Sequence, residues 1–223
     1  MKPNLVADDL QGAAKLVPKR REHSPVLPAN SAARLRSHLR ESISTKERVL
    51  AECEEAMLEA AGIIAKSLAR GGKLLLCGNG GSAADCQHIA AEFVSVLTQD
   101  YLRPGLPAIA LTTDTSILTA SANDFGFEGV FERQVQALAR AGDVLIGIST
   151  SGNSSNVARA LEYANGHEVA TIAMTGGSGG KIAGITRSEL RVPSSVTMHI
   201  QEAHITMGHI LCDLVERALG PAK

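Results

Sequence analysis

No run in this chain of 223 residues approaches the ~18 apolar residues a helix needs to span a bilayer, and the N-terminus lacks the short apolar core of a secretory signal. A cytoplasmic protein with no membrane partner is expected. There is no excess of positive charge: the formal net charge is -1 and 20% of the residues are charged. Nucleic acid is therefore not expected as a partner, because a phosphate backbone is bound by a basic surface. The four cysteines, Cys53, Cys77, Cys86 and Cys212, form no CxxC pair and fall inside or beside stretches patterned as helix or strand. Small buried thiols in a reducing compartment fit them best.

What is present is length for one sizeable core, somewhat short for two full domains. Residues 1–30 hold four of the eight prolines and the cluster Lys19-Arg20-Arg21, with no sustained apolar period. They are expected to be a poorly ordered extension, with a basic docking segment as the alternative. Residues 31–223 are expected to form a single domain. A short helix is expected over Ala32–Arg40, and a second opens at Ser44, with Glu47 in capping-box spacing. Val49, Leu50, Cys53, Met57, Ala60, Ile64 and Leu68 then keep helical period until Gly71-Gly72.

Beyond that point strands and helices alternate. Strands are expected at Lys73–Cys77, Ala108–Leu111, Val144–Ile148, Val169–Met174 and Glu189–Val192. Helices are expected at Ser82–Leu97, Thr115–Ala122, Glu128–Arg140, Ser155–Asn165 and Thr197–Leu219, the last stopped by Gly220-Pro221. An α/β fold follows, with a parallel sheet and helices on both faces.

In such sheets ligands sit outside the carboxyl ends of the strands. Two loops occupy that position: "GNGGS" (Gly78–Ser82) and "STSGNSS" (Ser149–Ser155). Glycine lets the backbone approach a ligand closely, and the free N–H groups opening the next helix favour an anion. The first loop lacks the third glycine of GxGxxG and the Lys-Ser/Thr of a Walker A loop, which disfavours nucleotide cofactors. Together the loops offer Asn79, Ser82, Ser149, Thr150, Ser151, Asn153 and Ser154, with no lysine or arginine. That chemistry suits a phosphate monoester on a molecule rich in hydroxyls, such as a phosphosugar; alternatively, Gly, Ser and Asn simply make turns.

His88 and Glu92 are four residues apart and share a helix face. They are either a surface pair or part of a site, and their neighbours Ile89, Ala90, Ala91, Phe93 and Val94 are apolar. Gln201 and His209 lie in an apolar helix, where a histidine needs a partner: it is a satisfied core residue or a ligand. Two imidazoles, a carboxylate and an amide oxygen would suit Zn²⁺. Gln201 and His209, eight residues apart, are separated by about 12 Å along a helix axis. Either their side chains reach one ion from opposite directions, or the site is shared between subunits.

From about Ser44 to Leu219 the chain resembles the sugar isomerase (SIS) domain, and within it the sedoheptulose 7-phosphate isomerases, or phosphoheptose isomerases. The resemblance rests on "CGNGGSAAD", "QHIAAEF", "ANDFGFEGVFERQV", "GDVLIGISTSGNSSNV", "TGGSGGK" and "IQEAHITMGHIL". It implies a three-layer sandwich around a flavodoxin-like five-stranded parallel sheet with added N-terminal helices. It also implies a homotetramer with one Zn²⁺ per subunit. The substrate contacts it implies fall on Asn79, Gly80, Gly81, Ser82, Glu92, Asn123, Asp124 and Gln201, and the phosphate contacts on Ser149, Thr150, Ser151 and Ser154. The implied metal ligands are His88, Glu92, Gln201 and His209, and the implied acid–base pair is Glu92 and His209. Residues 1–30 have no counterpart in the compact members of the family.

The implied reaction turns sedoheptulose 7-phosphate into D-glycero-D-manno-heptose 7-phosphate for bacterial surface glycans. A proton moves from C1 to C2 through an enediol, which needs a base at carbon and an acid at the carbonyl oxygen. Some SIS domains instead serve as non-catalytic phosphosugar sensors, and one relative binds the replication initiator DnaA. Such a module needs the loops but not the acid–base pair, so the presence of Glu92, His209, His88 and Gln201 together favours an enzyme.

Overall fold

The computed structural model describes residues 26–220, so the readings made for residues 1–25 lie outside the described residues. The chain divides into two units between Ser37 and His38. In the first, a turn leads into a helix at Ser31, whose hydroxyl donates to the Pro28 carbonyl at 2.7 Å.

That helix, α1 (Ser31–Ala69), runs for 39 residues, so the break expected between Arg40 and Ser44 does not exist. Ser44 is exposed in mid-helix and caps nothing. Either side of it, Ser42 donates to the Glu202 carboxylate and Thr45 is buried, so both hydroxyls continue the packed face of Val49, Cys53, Met57 and Ile64. Tertiary burial has overridden a local capping signal.

The remaining elements are β1 (Leu74–Gly78), α2 (Gly81–Val94), β2 (Ala108–Ala110), α3 (Thr115–Phe125), α4 (Val130–Leu138), β3 (Val144–Ile148), α5 (Ser155–Asn165), β4 (Ala170–Gly176), β5 (Ser188–Val192) and α6 (Thr197–Leu219). Helix α2 ends three residues before the expected Leu97 because Arg103 takes over the carbonyls of its last turn. The helix expected from Glu128 begins instead as a 3-10 turn, Phe127–Gly129, ahead of α4.

All five strands are parallel, in the order β2-β1-β3-β4-β5. Alternation along each strand separates two cores. Leu74, Leu76, Ile146 and Ile172 pack with Ile64 of α1, Ile89 and Phe93 of α2 and Met207 and Leu211 of α6. Leu75, Cys77, Leu145 and Ala173 pack with Val135 of α4 and with Val157 and Leu161 of α5. The result is the expected three-layer sandwich. Gly78 pairs with Ile148, so the loops leaving β1 and β3 start side by side. This is the switch point of such a sheet, where the order reverses and a crevice opens.

Candidate active site

Both loops run into helices whose N-cap residues, Gly80 and Ser154, make no side-chain cap. Gly80 precedes α2 with φ 55 and has no capping side chain. Ser154 precedes α5, but its hydroxyl meets Ser149 Oγ at 2.9 Å instead of an α5 backbone N–H. Asn156 Oδ1 accepts the Val157 N–H at 2.9 Å and the Asn79 and Gly80 carbonyls accept the Ala83 N–H, so the N–H groups ahead of these two are what each helix offers a ligand, and each helix end carries about half a positive charge. Ser82 and Ser149 are buried, Thr150 and Ser154 partly so, and Ser151 is exposed.

The loops are held by contacts that sequence reasoning missed. Asn79 and Asn156 exchange two amide hydrogen bonds, both 2.9 Å, and tie the first loop to α5. The second loop is pinned to residues 179–182, with Lys181 N–H donating to Asn153 Oδ1 at 3.2 Å and Ile182 N–H to the Gly152 carbonyl at 3.0 Å. Asn123 and Asp124 lie exposed in the last turn of α3, bonded to each other at 2.8 Å, with no hydrogen bond to either loop among the described residues.

Helices α2 and α6 lie against each other along this side of the crevice. Gln201 meets the first turn of α2: a Cβ at Gly81 would stand 2.1 Å from its Nε2, so only glycine admits the amide there. Further along, Gly208 lies against Ile89, and a Cβ at 208 would come 2.7 Å from Ile89 Cδ1. This close approach brings His209 of α6 to His88 and Glu92 of α2. The two Nε2 atoms are 2.8 Å apart, and His88 Nε2 stands 3.3 Å from Glu92 Oε1. One ligand atom from each of His88, Glu92 and His209 lies within 4.8 Å of the others, a mixed nitrogen and oxygen set of the kind Zn²⁺ takes.

Asp85, which sequence reasoning did not single out, is buried one turn before His88, and its Oδ2 has no hydrogen-bond partner. Burial pushes its carboxyl up, while the Gln201 amide and His88 act in the opposite direction. The backbone that carries Glu92 is fixed from below. Arg103 donates to the carbonyls of Glu92 at 2.7 Å and Phe93 at 2.8 Å, and pairs at 3.1 Å with fully buried Glu216. No pattern around Arg103 in the sequence signals that role, since its partner lies 113 residues away.

The family profile of the SIS domain matches residues 37–176, a span that ends before α6. A phosphoheptose isomerase of Aquifex aeolicus is 56% identical over 177 residues, covering 79% of this chain and 92% of that protein. The solved phosphoheptose isomerase of Neisseria gonorrhoeae superposes with a TM-score of 0.78 at 46% identity, covering 83% of this chain and 98% of that one. That of Francisella tularensis gives 0.80 at 39% identity, covering 84% and 98%. With that much sequence shared over that much of its length, the chain belongs to the SIS domain family, among the phosphoheptose isomerases.

Proposed function

We infer that this protein is a ketose–aldose isomerase that converts sedoheptulose 7-phosphate to D-glycero-D-manno-heptose 7-phosphate, at the entry to bacterial heptose and surface-glycan synthesis. The observation that carries the reading is the meeting of Glu92 and His209, a carboxylate and an imidazole from different helices, beside two uncapped helix N-termini. A phosphosugar sensor needs only the latter.

The phosphate sits on the Ser149–Ser154 loop, where hydroxyls and helix N–H groups neutralise it without a lysine or arginine. The sugar chain then extends along α2 toward Glu92. Between them, Glu92 and His209 break the C1–H bond, protonate the carbonyl oxygen to give the enediol, and return a proton to C2 as the C1 hydroxyl loses its own. His88, Glu92 and His209, with Gln201 as fourth donor, would hold one Zn²⁺ per subunit, which would supply a Lewis acid at the sugar oxygens. Asp85 and Gly81 keep Gln201 in place.

A homotetramer is part of the same reading. Leu50 and Leu58 of α1 and Ile210 of α6 are 68%, 57% and 41% exposed, on an apolar groove floored by Val49, Met57 and Met207. A second copy of the chain would cover it. No described helix is long and apolar enough to cross a membrane, and all four thiols are buried and free, which suits a cytoplasmic setting.

A coupled assay tests the activity by comparing sedoheptulose 7-phosphate with shorter ketose phosphates, before and after chelation and zinc repletion. Turnover should be highest with the seven-carbon substrate and return with zinc. Binding without turnover under every condition would give the lead to the sensor reading. Light scattering that returned the 23.3 kDa of one chain would refute the oligomer.

A further inference from the structure

The opposite end of the sheet, where the strands begin, carries a cavity of about 660 Å³. Its wall holds Lys66, Arg70, Lys73, Arg140 and Arg187 against Asp143 and Glu168, an excess of three positive charges in a chain whose formal net charge is -1. Asp143 is fully engaged. It takes the Lys73 ammonium at 2.5 Å and the backbone N–H groups of Lys73 and Arg140 at 2.9 and 2.7 Å. Arg140 donates to the Ala137 and Ala139 carbonyls. The side chains of Lys66, Arg70 and Arg187 make no hydrogen bond or ion pair among the described residues.

The cavity is built from fastened parts. Buried Thr171 accepts the Arg187 N–H at 3.1 Å and donates to Asn165 at 2.6 Å, while Asn165 donates to the Ile185 carbonyl at 2.6 Å. The strand entrance that presents Arg187 is thereby tied to the end of α5. Ser67 ties the end of α1 to the Gly142 carbonyl at 2.6 Å. Among the described residues, Glu168 alone has positive φ without being glycine (φ 56), and its carbonyl accepts from Gly142 N–H at 3.0 Å. A side chain in that conformation is held at a cost, as at ligand clamps.

We propose that this cavity is a binding site for a small diphosphate, free or esterified to an organic group. Its volume falls within the roughly 300–1,000 Å³ of small-molecule sites. A terminal phosphate carries about -1.5 to -2 charges near neutral pH, and one further phosphate brings the ligand close to the three positive charges in excess. Two unpaired guanidinium groups suit that ligand, because each can hold two oxygens of one phosphate. The site is separate from the Ser149–Ser154 loop, at the other end of the strands, and does not depend on the isomerase reading.

Calorimetric titration of the protein with ADP, pyrophosphate and inorganic phosphate tests this. Both diphosphates should bind more tightly than phosphate, with affinity that falls as salt rises. Binding should survive Ser149→Ala and weaken about tenfold or more in Arg70→Glu/Arg187→Glu, while isomerase turnover in that variant stays unchanged. Should the charge reversal impair folding, Arg70→Gln/Arg187→Gln should still weaken binding. Tighter binding of ADP assigns an organic ester, and equal binding assigns the diphosphate group alone. The proposal is overturned if neither diphosphate binds at millimolar concentration, if the arginine variants bind like wild type, or if Ser149→Ala alone removes binding.

Discussion

Arg103 donates from Nη2 to the main-chain carbonyl of Glu92 at 2.7 Å, so the segment presenting this carboxylate is anchored to a buried ion pair behind it. Replacing Arg103 with Met leaves Glu216, fully buried, without its counter-charge. Breaking such a pair from one side costs about 3–5 kcal/mol. Urea unfolding of Arg103→Met should show a loss of that order, and Arg103→Met/Glu216→Leu should recover much of it. Unchanged stability in the single variant would show that the pair holds nothing.

Glu92→Gln keeps the size of the side chain and removes a base. If Glu92 shares the proton transfer, turnover should fall by roughly 10²–10⁴-fold, while binding of a phosphosugar largely survives on the two loops. Solvent deuterium should appear at C2 of the product with the wild-type enzyme, and the variant should lose this exchange together with isomerisation. Wild-type turnover in the variant would make Glu92 a structural residue.

Gly81→Ala puts a methyl group 2.1 Å from Gln201 Nε2. The amide must leave its place beside Asp85, so if Gln201 helps to hold a Zn²⁺, zinc content and turnover should both fall with little change in melting temperature. Metal analysis of the purified variant against wild type decides it, and equal zinc with equal turnover would remove Gln201 from the site.

Elements whose cause is local could be read from the chain. The apolar run Val144–Ile148 is bounded by Gly142-Asp143 and Ser149-Thr150, and the helix Ser155–Asn165 follows a serine-rich turn; both begin and end where expected. The spacing of Gln201 and His209 does not show where along α2 each side chain falls. Helices α2 and α6 run side by side, so Gln201 meets the first turn of α2 while His209 reaches His88 further along. Asp85, Asn156 and Arg103 could not be read, because each owes its part to a partner far away in the chain: Gln201, Asn79 and Glu216. The helix break expected near Ser44 is absent for the same reason: Ser44 stays exposed, while packing takes up the neighbouring hydroxyls of Ser42 and Thr45 and carries the helix through.

His204 is fully buried, with its Nε2 2.9 Å from the Thr175 carbonyl, and burial pushes its pKa down to about 4. Between that value and the ordinary His pKa of about 6.5, the unfolded chain binds a proton that the folded chain does not. Stability contributed this way is complete above the upper value and is lost as pH falls through the window, by at most roughly 3 kcal/mol. Asp85, pushed up, acts in the opposite direction. His204→Gln, which keeps a donor for Thr175, should flatten the decline of melting temperature between pH 6.5 and 5. An unchanged slope would assign the decline to other groups.

Burial pushes the thiols of Cys77 and Cys212 up to about 12 and those of Cys53 and Cys86 upward as well. The thiolate is the reactive form, so the native protein should react slowly with a disulfide reagent at neutral pH and release all four thiols only in denaturant. Rapid reaction of any thiol in the native protein would show an opening that the fold does not display.

Because Gly208 lets α6 rest directly on Ile89, the distance between two helices, and not any ligand's own conformation, decides how wide a gap His88 and His209 leave between them. Were an ion held there, its size would be set in part at a position that touches no ion. A chain with alanine there, if α6 gave way and not the Ile89 side chain, would hold the same three donors on a wider frame, so the preference of a metal bound by them could drift without a change in any of the three.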